Sequence, residues 1–293
     1  MQPPSHESAP RVWLITGASR GLGRAFTEAA LEAGDRVAAA ARTVVGLEDL
    51  AGAHEGRLLP LTVDVRDRQA VGAAVAAAVE RFGRLDVVVN NAGTLSLGMV
   101  EEFAEAEARD QFETNLFGAL WVSQAVMAPL RAQRSGHLVQ VSSIGALCGS
   151  PLTGLYSASK AALEAMSEAL AAEAAGFGVR VTILEPGGYW TGLHRDMHLT
   201  APLDAYAPLR AEIEAAWADG SVDSAPALAA RALMRLVDSD DPPRRLLLGS
   251  MAYDLAVDAS RRRLEDWAAW EQVSRAAEHA IPEPAPAAVG GAR

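Results

Sequence analysis

The sequence predicts an α/β protein with a doubly wound parallel sheet, and two observations carry that prediction. Seven short apolar runs alternate with longer helical patterns along most of the chain. The first run also feeds directly into a glycine-rich turn that opens a helix. Strand–helix–strand alternation gives parallel strands joined by right-handed crossovers, so helices cover both faces of the sheet.

The expected strands are Val12–Thr16, Arg36–Ala41, 58–63, 85–90, 137–141, 179–184 and Arg245–Leu248. Several are continuously apolar, as strands buried on both faces are. Helical patterns lie between them at 22–33, Arg68–Phe82, 107–133, 156–175 and 225–237. Gly34, Gly83, Gly136 and Gly176 stand at the ends of the first four, where glycine commonly closes a helix. The stretch 190–220 breaks the rhythm, with one weak helix over 203–217 and no strand. Excursions beyond the carboxyl ends of the strands cover the ligand crevice in such folds. This stretch is therefore expected to be a helical substrate lid; a plain surface excursion is the alternative. Residues 11–280 are expected to form one domain. The Pro- and Ser-rich 1–10 and the Pro-, Ala- and Gly-rich 281–293 are expected to be disordered tails.

Composition narrows the function classes. The chain has 293 residues, 50% of them hydrophobic and 22% charged, as soluble globular proteins do. A net charge of -11 argues against a role resting on phosphate-backbone contacts, so no nucleic-acid partner is expected. Cys148 is the only cysteine, which excludes an intramolecular disulfide and a cysteine metal site. The first ten residues lack the basic flank and apolar core of a signal peptide. No apolar run approaches the ~18 residues that suggest a membrane span. The expectation is a cytoplasmic protein with no membrane partner.

The turn after the first strand reads Thr16-Gly17-Ala18-Ser19-Arg20-Gly21-Leu22-Gly23. Glycines let the backbone approach a pyrophosphate, and the free N–H groups and dipole of the following helix favour its charge. Gly17, Ser19, Arg20, Gly21, Leu22 and Gly23 are the cofactor-binding residues predicted here. The end of the second strand speaks to which nucleotide binds. An acidic residue there holds a ribose 2′-hydroxyl, whereas a 2′-phosphate is matched by Arg. The sequence has Ala41-Arg42 and no carboxylate, with Arg20 as a second cation, so NADP(H) is expected over NAD(H).

Four further motifs follow at strand ends. Asn90-Asn91-Ala92-Gly93 ends the fourth strand and Ser142-Ser143 the fifth; Tyr156-Ser157-Ala158-Ser159-Lys160 opens a helix, and Pro186-Gly187 follows the sixth strand. With the glycine turn, this set resembles the short-chain dehydrogenase/reductase family in its single-domain, Rossmann-like form, from about Val12 to Gly249. Tyr156 and Lys160 lie four apart on a helix and so share a face. A tyrosine pKa of about 10 is too high for efficient proton transfer near neutrality, and a nearby ammonium should lower it.

The resemblance implies that Tyr156 is the acid–base residue, that Lys160 lowers its pKa and binds the nicotinamide ribose, and that Ser143 orients the substrate oxygen. Ser143 is chosen over Ser142 because it stands thirteen residues before the tyrosine, as in the family. Asn115 matches the family's fourth catalytic residue, which holds a water in the proton relay. By position, Asp64, Val65, Asn91, Ala92 and Gly93 would line the adenosine and pyrophosphate side, and Pro186, Gly187 and Thr191 the nicotinamide side. Tyr189 and Trp190 depart from the family pattern by placing two large aromatics before Thr191.

The expected activity is hydride transfer between NADP(H) and a secondary alcohol or ketone. Tyr189, Trp190, Leu193, Met197 and Leu199 suggest a bulky apolar substrate, with Ser143, Tyr156, Tyr189, Trp190 and Leu193 in contact with it. Two other readings stay open: a non-redox epimerase or dehydratase on the same scaffold, and a non-catalytic NADP-binding regulatory protein. His194 and His198 have helical ligand spacing but no third ligand, so no metal is expected. Trp267 and Trp270 are expected to be packing residues and Cys148 a small pocket residue. The family analogy also implies a homodimer or homotetramer.

Overall fold

The computed structural model describes residues 9–191, 197–218 and 224–278. In chain order the strands are β1 (Val12–Thr16), β2 (Arg36–Ala41), β3 (Leu58–Thr62), β4 (Val87–Asn90), β5 (Ser96–Leu97), β6 (Gly136–Val141), β7 (Val179–Pro186), β8 (His198–Leu199) and β9 (Arg245–Leu248). The helices are α1 (Gly21–Glu32), α2 (Glu48–Ala53), α3 (Arg68–Phe82), α4 (Glu105–Phe112), α5 (Ala119–Gln133), α6 (Gly154–Ala175), α7 (Ala207–Ala218), α8 (Pro226–Val237), α9 (Ser250–Ala269) and α10 (Glu271–Ala276). Seven strands form one parallel sheet in the order β3-β2-β1-β4-β6-β7-β9. This is the doubly wound, Rossmann-like architecture the alternation predicted.

The period-two geometry of β1 sorts its side chains between two cores. Trp13 and Ile15 face a cluster with Phe26 and Leu31 of α1, Leu50 of α2 and Leu233 of α8. Val12 and Leu14 face the opposite cluster, with Val75 of α3, Val126 of α5 and Ala174 of α6. Helices therefore cover both faces, and only the strand ends are left for a ligand.

The strand order reverses direction at β1 and β4, and crevices at such switch points are where open α/β sheets bind ligands. Here the two strand ends are stitched together. Thr16 Oγ1 donates to Val89 O at 3.3 Å and accepts from the backbone N–H groups of Asn91 (3.0 Å) and Ala92 (3.1 Å). Asn91 Nδ2 returns bonds to the Thr16 and Gly17 carbonyls at 2.9 and 3.2 Å.

Several boundaries differ from expectation. The helix expected over 107–133 is broken into α4, a π-helical turn at Glu113–Gly118 and α5. The turn seats Gly118 where a Cβ would meet Val65 Cγ2 at 2.6 Å. Gly176 is right-handed at φ -64, and the left-handed residue after α6 is Gly178 at φ 70. Helix α2, the pair β5–β8, and α9 with α10 were not anticipated. Trp267 in α9 and Trp270, the cap between α9 and α10, are 62% and 64% exposed rather than packed. The expected tails 1–10 and 281–293 lie almost wholly outside the described residues.

Thr16→Val keeps the shape of the side chain but orphans the Ala92 N–H group and leaves the Asn91 N–H with Val89 O alone. It should cost about 1–3 kcal/mol in urea denaturation; an unchanged midpoint would show that the stitch carries no stability.

Candidate active site

Four backbone features bring the site together at the carboxyl edge of the sheet. The first is the glycine turn, where Gly17 and Gly21 adopt φ 64 and 57. A Cβ on Gly17 would meet Ala92 Cα at 2.9 Å, and one on Gly23 would run into the Gly17 carbonyl oxygen. Ala18 N–H bonds Ala40 O at 3.1 Å, which fixes the turn against the end of β2. Helix α1 begins at Gly21, with no side-chain cap from Arg20 before it and no acid in its first turn. Its leading N–H groups are thus left for another acceptor.

The second feature is the loop after β4. Gly93 is exposed, and a Cβ there would stand 3.3 Å from Asn115 Oδ1 and 3.5 Å from Lys160 Nζ. The third is the end of β6, where Ser143 caps a short 3₁₀ turn and its Oγ accepts from Gly145 N at 3.2 Å. Cys148 lies half-buried just beyond, its Sγ bonded to Ile144 O at 3.7 Å. The fourth is α6, which begins at Gly154 and presents Tyr156 and Lys160 one turn apart.

The Ser143 hydroxyl and the Tyr156 ring converge on Gly145, 3.5 and 3.8 Å from where its Cβ would stand, and the Ser143 hydroxyl acts to lower the phenol's pKa. Lys160 Nζ donates to Val141 O at 2.8 Å and lies 5.9 Å from the Tyr156 ring centre. Burial pushes the Tyr156 pKa up, and Ser143 only partly offsets it. The Tyr156 pKa thus rises where the sequence suggested a drop, because burial outweighs the interaction that favours the phenolate. Burial also draws Lys160 down to about 8, against the pull of the Glu164 carboxylate.

Asn115 is buried in the π turn with its amide fully engaged. Nδ2 donates to Thr94 O and Ser159 Oγ, both at 3.0 Å, while Oδ1 accepts from Thr94 N at 2.8 Å. The side chain therefore holds the 93–94 loop against α6.

Around the crevice, Arg42 is exposed at the end of β2. Asp64 is chelated by Arg66 and holds its carboxyl below the usual range through that bond. Thr191 packs over the turn, its Cβ 3.1 Å from where a Gly21 Cβ would stand. Pro186 is buried and Gly187 half-buried at the end of β7. Tyr189 corrects an expectation. It is 7% exposed in the core cluster with Ala229, Leu233 and Leu248, so it packs the sheet instead of facing a substrate. Trp190 is 69% exposed. Leu193 and His194 lie outside the described residues.

The segment expected as a lid is strapped to the body. β8 pairs in parallel with β5, and the fully buried Glu102 carboxylate accepts from Thr200 Oγ1 (2.8 Å), Leu203 N (3.0 Å) and Arg210. Although burial opposes it, these bonds bring Glu102 down to about 2. His198 Nε2 meets Glu107 at 2.7 Å. Sequence reading missed this strap because its partners are about a hundred residues apart.

Comparison with known proteins identifies the family. The short chain dehydrogenase family model matches residues 11–201. Oxidoreductase BOA17 of Botryotinia fuckeliana is 38% identical over 271 residues, 91% of this chain and 98% of its own. A short-chain dehydrogenase structure from Streptomyces avermitilis superposes with a TM-score of 0.86 at 38% identity, over 93% of this chain and 100% of its own. A Burkholderia cenocepacia short chain dehydrogenase in complex with NADP has a TM-score of 0.72 at 28% identity, covering 88% and 96%. A Brucella melitensis 3-ketoacyl-(acyl-carrier-protein) reductase complexed with NADH has 0.70 at 25% identity, covering 81% and 96%. The chain belongs to the short-chain dehydrogenase/reductase family of oxidoreductases.

Two glycines separate a steric requirement from mere helix propensity. Gly23→Ala should lose at least about 2 kcal/mol, since its Cβ has no room. Gly72→Ala in α3, where a Cβ meets nothing within 4 Å, should gain about 0.5–1 kcal/mol. Thermal or urea unfolding of both variants checks the contrast; equal effects would overturn it.

Proposed function

We propose that this oxidoreductase interconverts a ketone and a secondary alcohol with NADP(H). The observation that supports this most is the Ser143–Tyr156 hydroxyl pair beside buried Lys160, set at the sheet edge next to the uncapped start of α1. That helix start fits a pyrophosphate, because its free N–H groups and dipole favour an anion.

Gly17, Ser19, Arg20, Gly21, Leu22 and Gly23 would hold the pyrophosphate; Asp64, Val65, Asn91, Ala92 and Gly93 the adenosine side; Pro186, Gly187 and Thr191 the nicotinamide side. The exposed Arg42, with no carboxylate at the end of β2, favours a 2′-phosphate and so NADP(H) over NAD(H). When bound, the nicotinamide supplies or accepts the hydride.

The chain's own residues handle the proton. Ser143 fixes the substrate oxygen, and Tyr156 donates its phenolic proton to that oxygen in reduction and takes it back in oxidation. Burial keeps the phenol protonated, which is the form reduction needs. Lys160 would hold the nicotinamide ribose with its ammonium. Asn115 positions the 93–94 loop beside Lys160. The strapped segment 197–218 closes the crevice as a lid, and exposed Trp190 and Leu199 suit a bulky apolar substrate.

NADPH and NADH oxidation by the purified protein against a panel of ketones tests this reading, with Tyr156→Phe alongside. NADPH should be preferred, and turnover should fall at least about 100-fold in the variant. Tight NADPH binding with no turnover of any ketone would overturn the reductase reading in favour of a non-redox or regulatory role. A pH profile gives an independent check. The Lys160 ammonium is present below about pH 8 and is lost as pH rises through that value. Reduction should therefore decline above it, and a flat profile to higher pH would exclude a charged Lys160 from the reaction.

A further inference from the structure

Beneath the site lies a buried ionic cluster that the proposed chemistry does not use. Four elements meet in it. Ser142 Oγ at the end of β6 donates to Glu164 Oε1 of α6 at 2.6 Å. Arg245 Nη1 of β9 donates at 2.6 Å both to Glu164 Oε2 and to Glu185 Oε1 of β7. Arg245 Nη2 also reaches Glu168 Oε1 at 2.7 Å. The Glu164 and Glu185 side chains are 5% and 2% exposed, whereas Glu168 is half exposed to water.

The cluster's neighbours are all site residues. Ser142 precedes Ser143, Glu185 precedes Pro186-Gly187, and Glu164 lies one turn along α6 from Lys160. The charged groups facing the two carboxylates are Arg245 from β9 and Lys160 and Glu168 from α6. Inside the fold, one guanidinium faces two carboxylates whose oxygens sit on the same nitrogen. Like charges so close cannot both ionise readily, and burial adds to the cost.

We propose that Glu185, held with Glu164 on one nitrogen of the Arg245 guanidinium, keeps a proton and that the two form a positioning pair for Lys160. With that proton bound, the pair's single charge is balanced by Arg245. When it leaves, the second negative charge is balanced by the Lys160 ammonium, which holds its own proton to higher pH. Burial and the Glu164 carboxylate push Glu185 up to about 7, against Arg245. This inference rests on Lys160 being catalytic, but the Glu185 proton can be observed without turnover.

The test is infrared spectroscopy of the full chain from about pH 5 to about pH 9, with Glu185→Gln and Glu164→Gln beside it. The C=O stretch of a buried protonated carboxylic acid should disappear with a midpoint near 7. Its midpoint should be lost or displaced in either variant. Thermal midpoints over the same range give a second reading. A raised carboxyl pKa stabilises the fold fully below the unfolded value, and that stabilisation is lost as pH rises through about 7. Glu185→Gln should remove this slope, whereas a merely structural loss would lower all midpoints equally and overturn the proposal.

In turnover, Glu164→Gln should move the alkaline limb down by about one pH unit. An unmoved limb would overturn the link to Lys160. If the infrared band titrates but no ketone is reduced, the pair stands and the proposed activity falls. If either variant fails to fold, the other is read in the same way.

Discussion

The structure depends first on the stitch between β1 and β4. A parallel sheet that reverses its winding leaves two strand ends side by side with no helix between them. Their loops would have unpaired backbone groups unless something local satisfied them. Thr16 and Asn91 do this reciprocally, each bonding to the other's backbone. The glycine turn and the 91–93 loop are thereby fixed at close range, and a Cβ at Gly17 or Gly23 would drive them apart. Asn90, next in line, continues the network inward to Gln140, Ser123 and Ala119.

Burial, more than local charge, sets the chemistry of the residues gathered above that stitch. Burial raises the Tyr156 pKa and draws the Lys160 pKa down. A buried ammonium at this depth needs a partner, and it has a carbonyl at 2.8 Å and a carboxylate one turn away. The polar groups under the crevice thus form a continuous layer from Ser142 through Glu164 and Arg245 to Glu185. That layer ties β6, β7 and β9 to α6, and no backbone ladder runs between those strands and that helix.

The far rim is organised by a single side chain. Glu102 collects a hydroxyl, an amide and a guanidinium from the 200–210 stretch, so this rim is tied to the body by bonds rather than by apolar packing alone. Trp190 and Leu199 are left exposed.

The sequence by itself determined the strands, the helices that alternate with them, the glycine turn and the Tyr156–Lys160 pair, because each rests on local spacing: apolar runs, glycine positions or a four-residue step on one helix. Three of the seven strands in the main sheet match their expected bounds residue for residue. Tertiary structure decided what spacing does not encode. The π turn at Asn115 is set by the Thr94 loop, and the core placement of Tyr189 by packing against α8. The Glu102 strap joins residues about a hundred positions apart. Lys160 and Glu164 stand four apart in the sequence, yet their electrostatic meaning appears only when Glu185 and Arg245 arrive from neighbouring strands. Local periodicity fixes which residues share a face; which charges are buried together follows from chain segments that meet only on folding.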